Sequence, residues 1–179
     1  MICCLDESSS TRGDAAAWGK AVALALLDIA ESEERKFALV HFSGSGRFQT
    51  DLFLPKQTTV EDKLRAAETF LDGGTDFCTP MNEALRLIKE EGFNNADIVF
   101  ITDGECVLSQ EYISKLQKEQ ADLRFTITGI IARGRSALRE FAKIRFFSAE
   151  KSESMRLSSA FSSRAGFRSI AMRAGKLFT

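Results

Sequence analysis

The sequence has a single histidine, His41, in 179 residues. It sits inside the apolar stretch FALVHF and is expected to be a packed core residue, so histidine-based acid or base catalysis has little support. The four cysteines, Cys3, Cys4, Cys78 and Cys106, show no C-x-x-C spacing, which argues against a zinc or redox site and for reduced thiols. Cys3 and Cys4 are expected to point to opposite faces of one strand as small apolar side chains. Cys78 and Cys106 each follow a candidate site loop by three residues, which could bring them near each other. No apolar run approaches the roughly 20 residues of a membrane span, and no basic stretch precedes a secretory core. A cytoplasmic protein is expected. A formal net charge of −1 gives no global bias toward nucleic acid or membrane. There is no internal repeat.

What is present is ordinary for a globular protein: 44% hydrophobic and 27% charged residues, in a length that suits one domain with a sizeable core. Residues 1–5 read as a short buried strand and 14–32 as a helix with Trp18, Val22, Leu26 and Ile29 at helical spacing. FALVHF (37–42) is a second strand. After the turn Gly44-Ser45-Gly46, the alternating run RFQTDLF reads as an antiparallel edge strand. Thr58-Thr59-Val60-Glu61 fits a capping box that opens a helix ending near Leu71. Thr79 is expected to cap the next helix, with Pro80 at its first helical position and Gly92 as its stop, so GGTD is a loop between two helices. ADIVFIT (96–102) is a continuous apolar strand running into Asp103-Gly104. A helix over 109–121, a strand RFTITGIIA, a short helix over 137–143 and a last strand IRFFS complete the pattern.

Strands apolar on both faces and separated by helices predict a doubly wound, mostly parallel α/β sheet with one antiparallel edge strand. The domain is expected over residues 1–149. Residues 150–179 form a Ser/Arg-rich basic extension, read as solvated rather than as an anion-binding surface. Because the chain begins inside its first strand, an excised domain or a missing upstream part is expected.

The loop after the first strand clusters oxygens at alternate positions: Asp6, Ser8 and Ser10. In an open parallel sheet, ligands bind beyond the carboxyl ends of strands where the strand order reverses. If the first strand and ADIVFIT are neighbours there, Asp6 and Asp103 meet in one crevice, and Thr75 of the GGTD loop could reach it. Two unpaired carboxylates in one crevice repel each other, so a cation is expected between them. With hydroxyls as the other donors, the set suits Mg²⁺, Mn²⁺ or Ca²⁺ rather than zinc. Each piece alone has an ordinary explanation: Ser8, Ser10 or Thr11 as a helix cap, Asp103-Gly104 as a turn, Gly73-Gly74 as a plain loop. In this order and on these elements they point to a metal site.

These motifs resemble the metal-ion-dependent adhesion site of von Willebrand factor A domains: Asp6-x-Ser8-x-Ser10, then Thr75 in GGTD, then Asp103 in ITDGE. The resemblance covers roughly residues 1–149. It implies that Ser8, Ser10 and Thr75 coordinate the ion, with Asp6 and Asp103 holding it directly or through water, and that the first strand is central. The stretch AWGKAVALALLDIAESEERKFALVHFS, with GGTDF and ADIVFITDGE, is most similar to bacterial cytosolic domains of the ViaA and CoxE type, which work beside MoxR-class AAA+ ATPases as adaptors. Two positions depart from the family pattern: Ser9 stands where glycine is usual, and Thr11 where methionine is frequent. A side chain at Ser9 is expected to alter the loop backbone and weaken the metal site, though no ligand is lost.

The reading that follows is a non-enzymatic binding module whose cation accepts an Asp or Glu of a partner protein. A magnesium-dependent phosphotransferase with Asp6 as nucleophile is the alternative. Haloacid-dehalogenase-like phosphatases, which use such an arrangement, place a second Asp two residues on, where this chain has Ser8, and need a lysine for which there is no obvious candidate. A domain with a degenerate, metal-free site is a further alternative. Nucleic-acid binding through the basic extension lacks aromatic interleaving.

Overall fold

A computed structural model describes residues 1–93, 95–103, 106–131 and 143–146. Its elements in chain order are β1 (Ile2–Asp6), a 3₁₀ turn (Ser9–Thr11), α1 (Asp14–Ser32), β2 (Phe37–Phe42), β3 (Phe48–Phe53), α2 (Val60–Glu68), α3 (Cys78–Glu90), β4 (Asp97–Thr102), α4 (Gln110–Leu123), β5 (Thr126–Ile131) and β6 (Lys143–Phe146). The sheet order is β3-β2-β1-β4-β5-β6. All pairings are parallel except β2 with β3, which is antiparallel at the edge. The strand order therefore reverses between β1 and β4, whose registers run Ile2 to Ile98 and Leu5 to Ile101. The expected fold class is the observed one.

The alternation of β1 sends its side chains into two cores. Ile2 and Cys4 join Val40, Phe42, Phe77, Met81, Phe100 and Ile113 on the face covered by α3 and α4. Cys3 and Leu5 join Leu26, Leu27, Leu39, Val99 and Ile101 on the face covered by α1. Burying each of the large side chains contributes about 1.5–3 kcal/mol. Under the carboxyl ends of the strands, Phe42, Phe77 and Phe100 form a ring triplet with centroid separations of 5.1–6.1 Å. Phe77 follows the GGTD loop by one residue, so this triplet anchors the loop from below.

Helix α1 contains Gly19, which costs about 1 kcal/mol relative to alanine in a helix interior. The reason lies in packing: a Cβ there would stand 3.0 Å from Leu5 Cδ1 and 3.5 Å from Ile101 Cγ2. Glycine lets α1 press against β1 and β4 where they lie side by side.

Two caps differ from expectation. The capping box of α2 is made by Thr59 and Asp62, not Thr58 and Glu61: Thr59 Oγ1 accepts from the Asp62 amide at 3.1 Å and Asp62 Oδ2 accepts from the Thr59 amide at 3.0 Å. The tandem threonines and tandem acids allow either register, and the α2 face that buries Ala66 selects this one. The helix ends at Glu68 rather than near Leu71. At α3 the amides of Cys78 and Thr79 donate to the Asp76 carboxylate at 3.1 Å each, so Asp76, with two oxygens to offer, caps the helix in place of Thr79. The expected helix over 137–143 lies outside the described residues except for Lys143, which opens β6; so does the extension over 150–179.

Candidate metal centre

The site is built where β1 and β4 end side by side. Asp6, the last residue of β1, is buried. Its Oδ1 accepts from the Ser8 amide at 2.9 Å, and its Oδ2 accepts from the hydroxyl of Thr102, the last residue of β4, at 2.5 Å. The 3₁₀ turn then brings the Ser8 and Ser10 hydroxyls to 3.0 Å from each other, and Ser10 Oγ donates to Asp103 Oδ1 at 3.0 Å. Asp6, Ser8, Ser10 and Asp103 thus share one network, although Ser10 and Asp103 are 93 residues apart. Burial pushes the Asp6 carboxyl up from the ordinary range; the hydrogen bonds from Thr102 and Ser8 oppose this, and the Asp103 charge adds to it. Beneath, a small pocket is lined by Asp6, Thr11, Trp18, Gly19, Thr102 and Asp103.

Thr75 lies on a loop whose neighbouring residues are pinned beside this region. The Ser9 amide donates to Gly73 O at 2.8 Å, the Asp72 amide to Glu7 O at 2.9 Å and the Asp76 amide to Ser43 O at 2.8 Å. Thr75 lies between these pins and is half-buried. Among the described residues, no hydrogen bond joins it to Asp6, Ser8, Ser10 or Asp103. Ser9 does not sit in the left-handed region, so its side chain imposes no strain of the kind expected for a residue in a glycine position. Its hydroxyl donates to Asp72 Oδ1. Thr11 is buried, and its hydroxyl donates to Ser8 O at 2.8 Å, tightening the same turn.

The donor set is chemically consistent with a hard cation: two carboxylates from adjacent strand ends with hydroxyls between them and no thiolate or imidazole in the network. Among the described residues, no cluster of three or more His, Cys, Asp or Glu side chains could hold a metal. Any ion here would depend on the hydroxyls. Cys78 and Cys106 pack against the same core, and burial is the leading cause that raises both thiols.

One polar assembly was not expected from the sequence. Glu7, next to Asp6, points to the opposite face, and its Oε1 lies 3.0 Å from His41 Nδ1 and 3.8 Å from Lys20 Nζ. His41 Nε2 faces Asp51 Oδ2 at 3.2 Å, close enough for an ion pair although not aimed for a hydrogen bond. His41 is fully buried, as expected, but as the centre of a carboxylate–imidazole–carboxylate row rather than as a plain packing residue. Burial alone would lower its pKa; the Asp51 and Glu7 carboxylates outweigh burial, so the net shift is upward. Asp51 is shifted down, first by His41. The available signal was parity: Leu5 and Glu7, Leu39 and His41, Gln49 and Asp51 share one sheet face once the register is known.

An open doubly wound sheet, with acidic and hydroxyl side chains gathered at its central switch point, defines a class of α/β ligand-binding domains. The chain belongs to the von Willebrand factor type A domain family, whose model matches residues 1–105. It is 39% identical over 119 residues to the uncharacterized protein MJ0811 of Methanocaldococcus jannaschii, covering 66% of this chain and 27% of that protein. It is 36% identical over 131 residues to MJ0077 of the same organism, covering 73% and 32%. The chain thus spans about a third or less of these relatives. Among solved structures, the SpRpn10 VWA domain superposes with a TM-score of 0.68 at 15% identity, covering 84% of this chain and 88% of that one. Conserved hypothetical protein BatB from Bacteroides thetaiotaomicron gives 0.56 at 19%, covering 73% and 64%. Proximal thread matrix protein 1 from the mussel byssus, described with a zinc-occupied MIDAS motif, gives 0.52 at 17%, covering 82% and 43%. No helix among the described residues is long and apolar enough to cross a membrane.

Proposed function

We propose that the domain is a divalent-metal-dependent protein-binding module, in which Asp6, Ser8, Ser10, Thr75 and Asp103 hold Mg²⁺, or Mn²⁺ or Ca²⁺, and the ion accepts an Asp or Glu of a partner. The observation that carries this reading is the continuous chain from Asp6 through Ser8 and Ser10 to Asp103, which gathers two carboxylates and two hydroxyls at the switch point. Two acids so placed repel each other, and a cation between them relieves that repulsion. The zinc-occupied MIDAS motif of the byssus protein, on the same fold, supports divalent-ion binding by a domain of this kind. The role supplied by the ion is electrostatic: it binds a carboxylate from outside. The protein's part is to fix the donors and leave room for that carboxylate.

The finer reading is an adaptor in the cytoplasm to a MoxR-type AAA+ ATPase. It rests on the similarity of residues 17–43, of GGTDF and of ADIVFITDGE to ViaA- and CoxE-type domains. Catalysis by Asp6 is not favoured. Lys20, a basic side chain close to this strand end, donates to Thr69 O and faces Glu7 rather than Asp6.

Thermal unfolding with and without Mg²⁺ or Mn²⁺ tests the reading. The metal raises Tm in the wild type, and Asp6→Ala abolishes the gain. An unchanged Tm with metal counts against it. Capture of the partner ATPase is expected to fail in excess EDTA and to weaken in Thr75→Ala without unfolding of the domain.

A further inference from the structure

We infer that Ser9 and Asp72 are positioning residues that clamp the Thr75 loop onto the β1 loop before any ion arrives. The inference rests on the metal-site reading above, and it assigns to Ser9 a role that glycine could not fill. Ser9 Oγ lies 2.5 Å from Asp72 Oδ1 and 3.0 Å from Gly73 O, so its one proton is shared between two acceptors, while the hydroxyl accepts from the Gly73 amide at 3.0 Å. The Ser9 amide donates to Gly73 O at 2.8 Å. Asp72 in turn accepts from Arg12 Nη2 at 2.8 Å and from the Gly73 amide at 3.0 Å. Arg47 Nη2 donates to Leu71 O at 2.7 Å on the far side.

The backbone makes the clamp possible. Asp72 and Gly73 are both at positive φ, 58° and 106°, which turns the chain back on itself. Asp tolerates the first value because its short side chain bonds locally, here to the next amide. Gly73 suits the second, a backbone conformation that side-chain-bearing residues rarely adopt. Beyond Thr75, the Asp76 amide is bonded to Ser43 O and the Asp76 carboxylate caps α3. Thr75 is therefore held from both directions, and on the N-terminal side the Ser9 hydroxyl adds its bonds to Asp72 and Gly73 to two backbone bonds, Ser9 N to Gly73 O and Asp72 N to Glu7 O. An ion binding to this arrangement does not have to order the loop, so its affinity includes no ordering cost.

The test uses the full chain with Ser9→Ala, Ser9→Thr and Asp72→Asn; asparagine keeps the tolerance for positive φ while losing the charge. Two quantities are read: hydrogen exchange at the Gly73 amide in the metal-free protein, and Mn²⁺ affinity by electron paramagnetic resonance. Ser9→Ala is expected to speed Gly73 exchange and to weaken Mn²⁺ binding about tenfold, the size of one charge-assisted hydrogen bond. Asp72→Asn shifts both in the same direction, and Ser9→Thr restores both. Unaltered exchange and affinity in Ser9→Ala, or a loss that Ser9→Thr does not restore, overturns the inference. If the wild type binds no Mn²⁺, the metal reading fails separately, and Gly73 exchange decides the clamp: faster in Ser9→Ala supports it, unaltered overturns it.

Discussion

Asp6 and Glu7 are neighbours in sequence, both buried, and they solve the problem of a buried carboxylate in two ways. Asp6 ends β1 facing the open end of the sheet, with Thr102, Ser8 and, through Ser10, Asp103 around it. No basic side chain pairs with it among the described contacts, and the positive charge it lacks is the one an external cation would bring. Glu7 faces the other way and finds its charge inside the protein, from His41 with Lys20 nearby. An acid whose partner is internal belongs to the fold, and one left without such a partner is available for a ligand.

The sharpest way to break this comparison is His41→Ala. It leaves Glu7 and Asp51 buried with less compensation, and removing one member of such a buried set costs about 3–5 kcal/mol. Urea unfolding is expected to show that loss, whereas Asp6→Ala gives up the Thr102 and Ser8 bonds without stranding a buried charge and costs less; equal losses in the two variants would erase the distinction. A smaller effect is expected from Thr102→Val, which removes the hydroxyl from Asp6 Oδ2 while keeping the shape of β4. Its cost is about 1.5–3 kcal/mol, as for a hydrogen bond to a charged group. Added Mg²⁺ should recover part of this in a melting experiment.

The smallest effect is a pH dependence. His41 has its folded pKa raised above the ordinary 6.5, so its contribution is fully present below 6.5 and is lost as pH rises through the folded value. Asp51, lowered below 3.8, contributes above 3.8 and loses that contribution as pH falls through its folded value. The stability difference between wild type and His41→Gln is therefore expected to shrink as pH is raised above 6.5. A difference that grows there would mean that His41 is neutral in the folded protein.

Much of this was legible beforehand, and the parts that were not have a common cause. The bounds of α1, β2 and the edge strand follow from local periodicity, which needs no partner to be read. The placement of Asp6 and Asp103 at strand carboxyl ends was legible, while their adjacency was a condition that the β1–β4 pairing meets. The caps slipped by one to three residues because Thr58 and Thr59, Glu61 and Asp62, or Asp76 and Thr79 can each supply the needed oxygen. The choice depends on which helix face packs. The bond from the Ser9 hydroxyl to Asp72, 63 residues away, had no signal in the local sequence.

By itself the sequence determined the alternation of strands and helices, the doubly wound class, and the oxygen-bearing residues at the ends of β1 and β4. These are consequences of side-chain spacing along one segment at a time. Only the tertiary structure decided that Ser10 meets Asp103, that Ser9 bonds Asp72 and Gly73, and that His41 is an ion-pair centre rather than packing. Each of those joins side chains tens of residues apart, and a hydrogen bond or ion pair forms only within about 3–4 Å, a distance that strand register and helix packing set and local spacing does not.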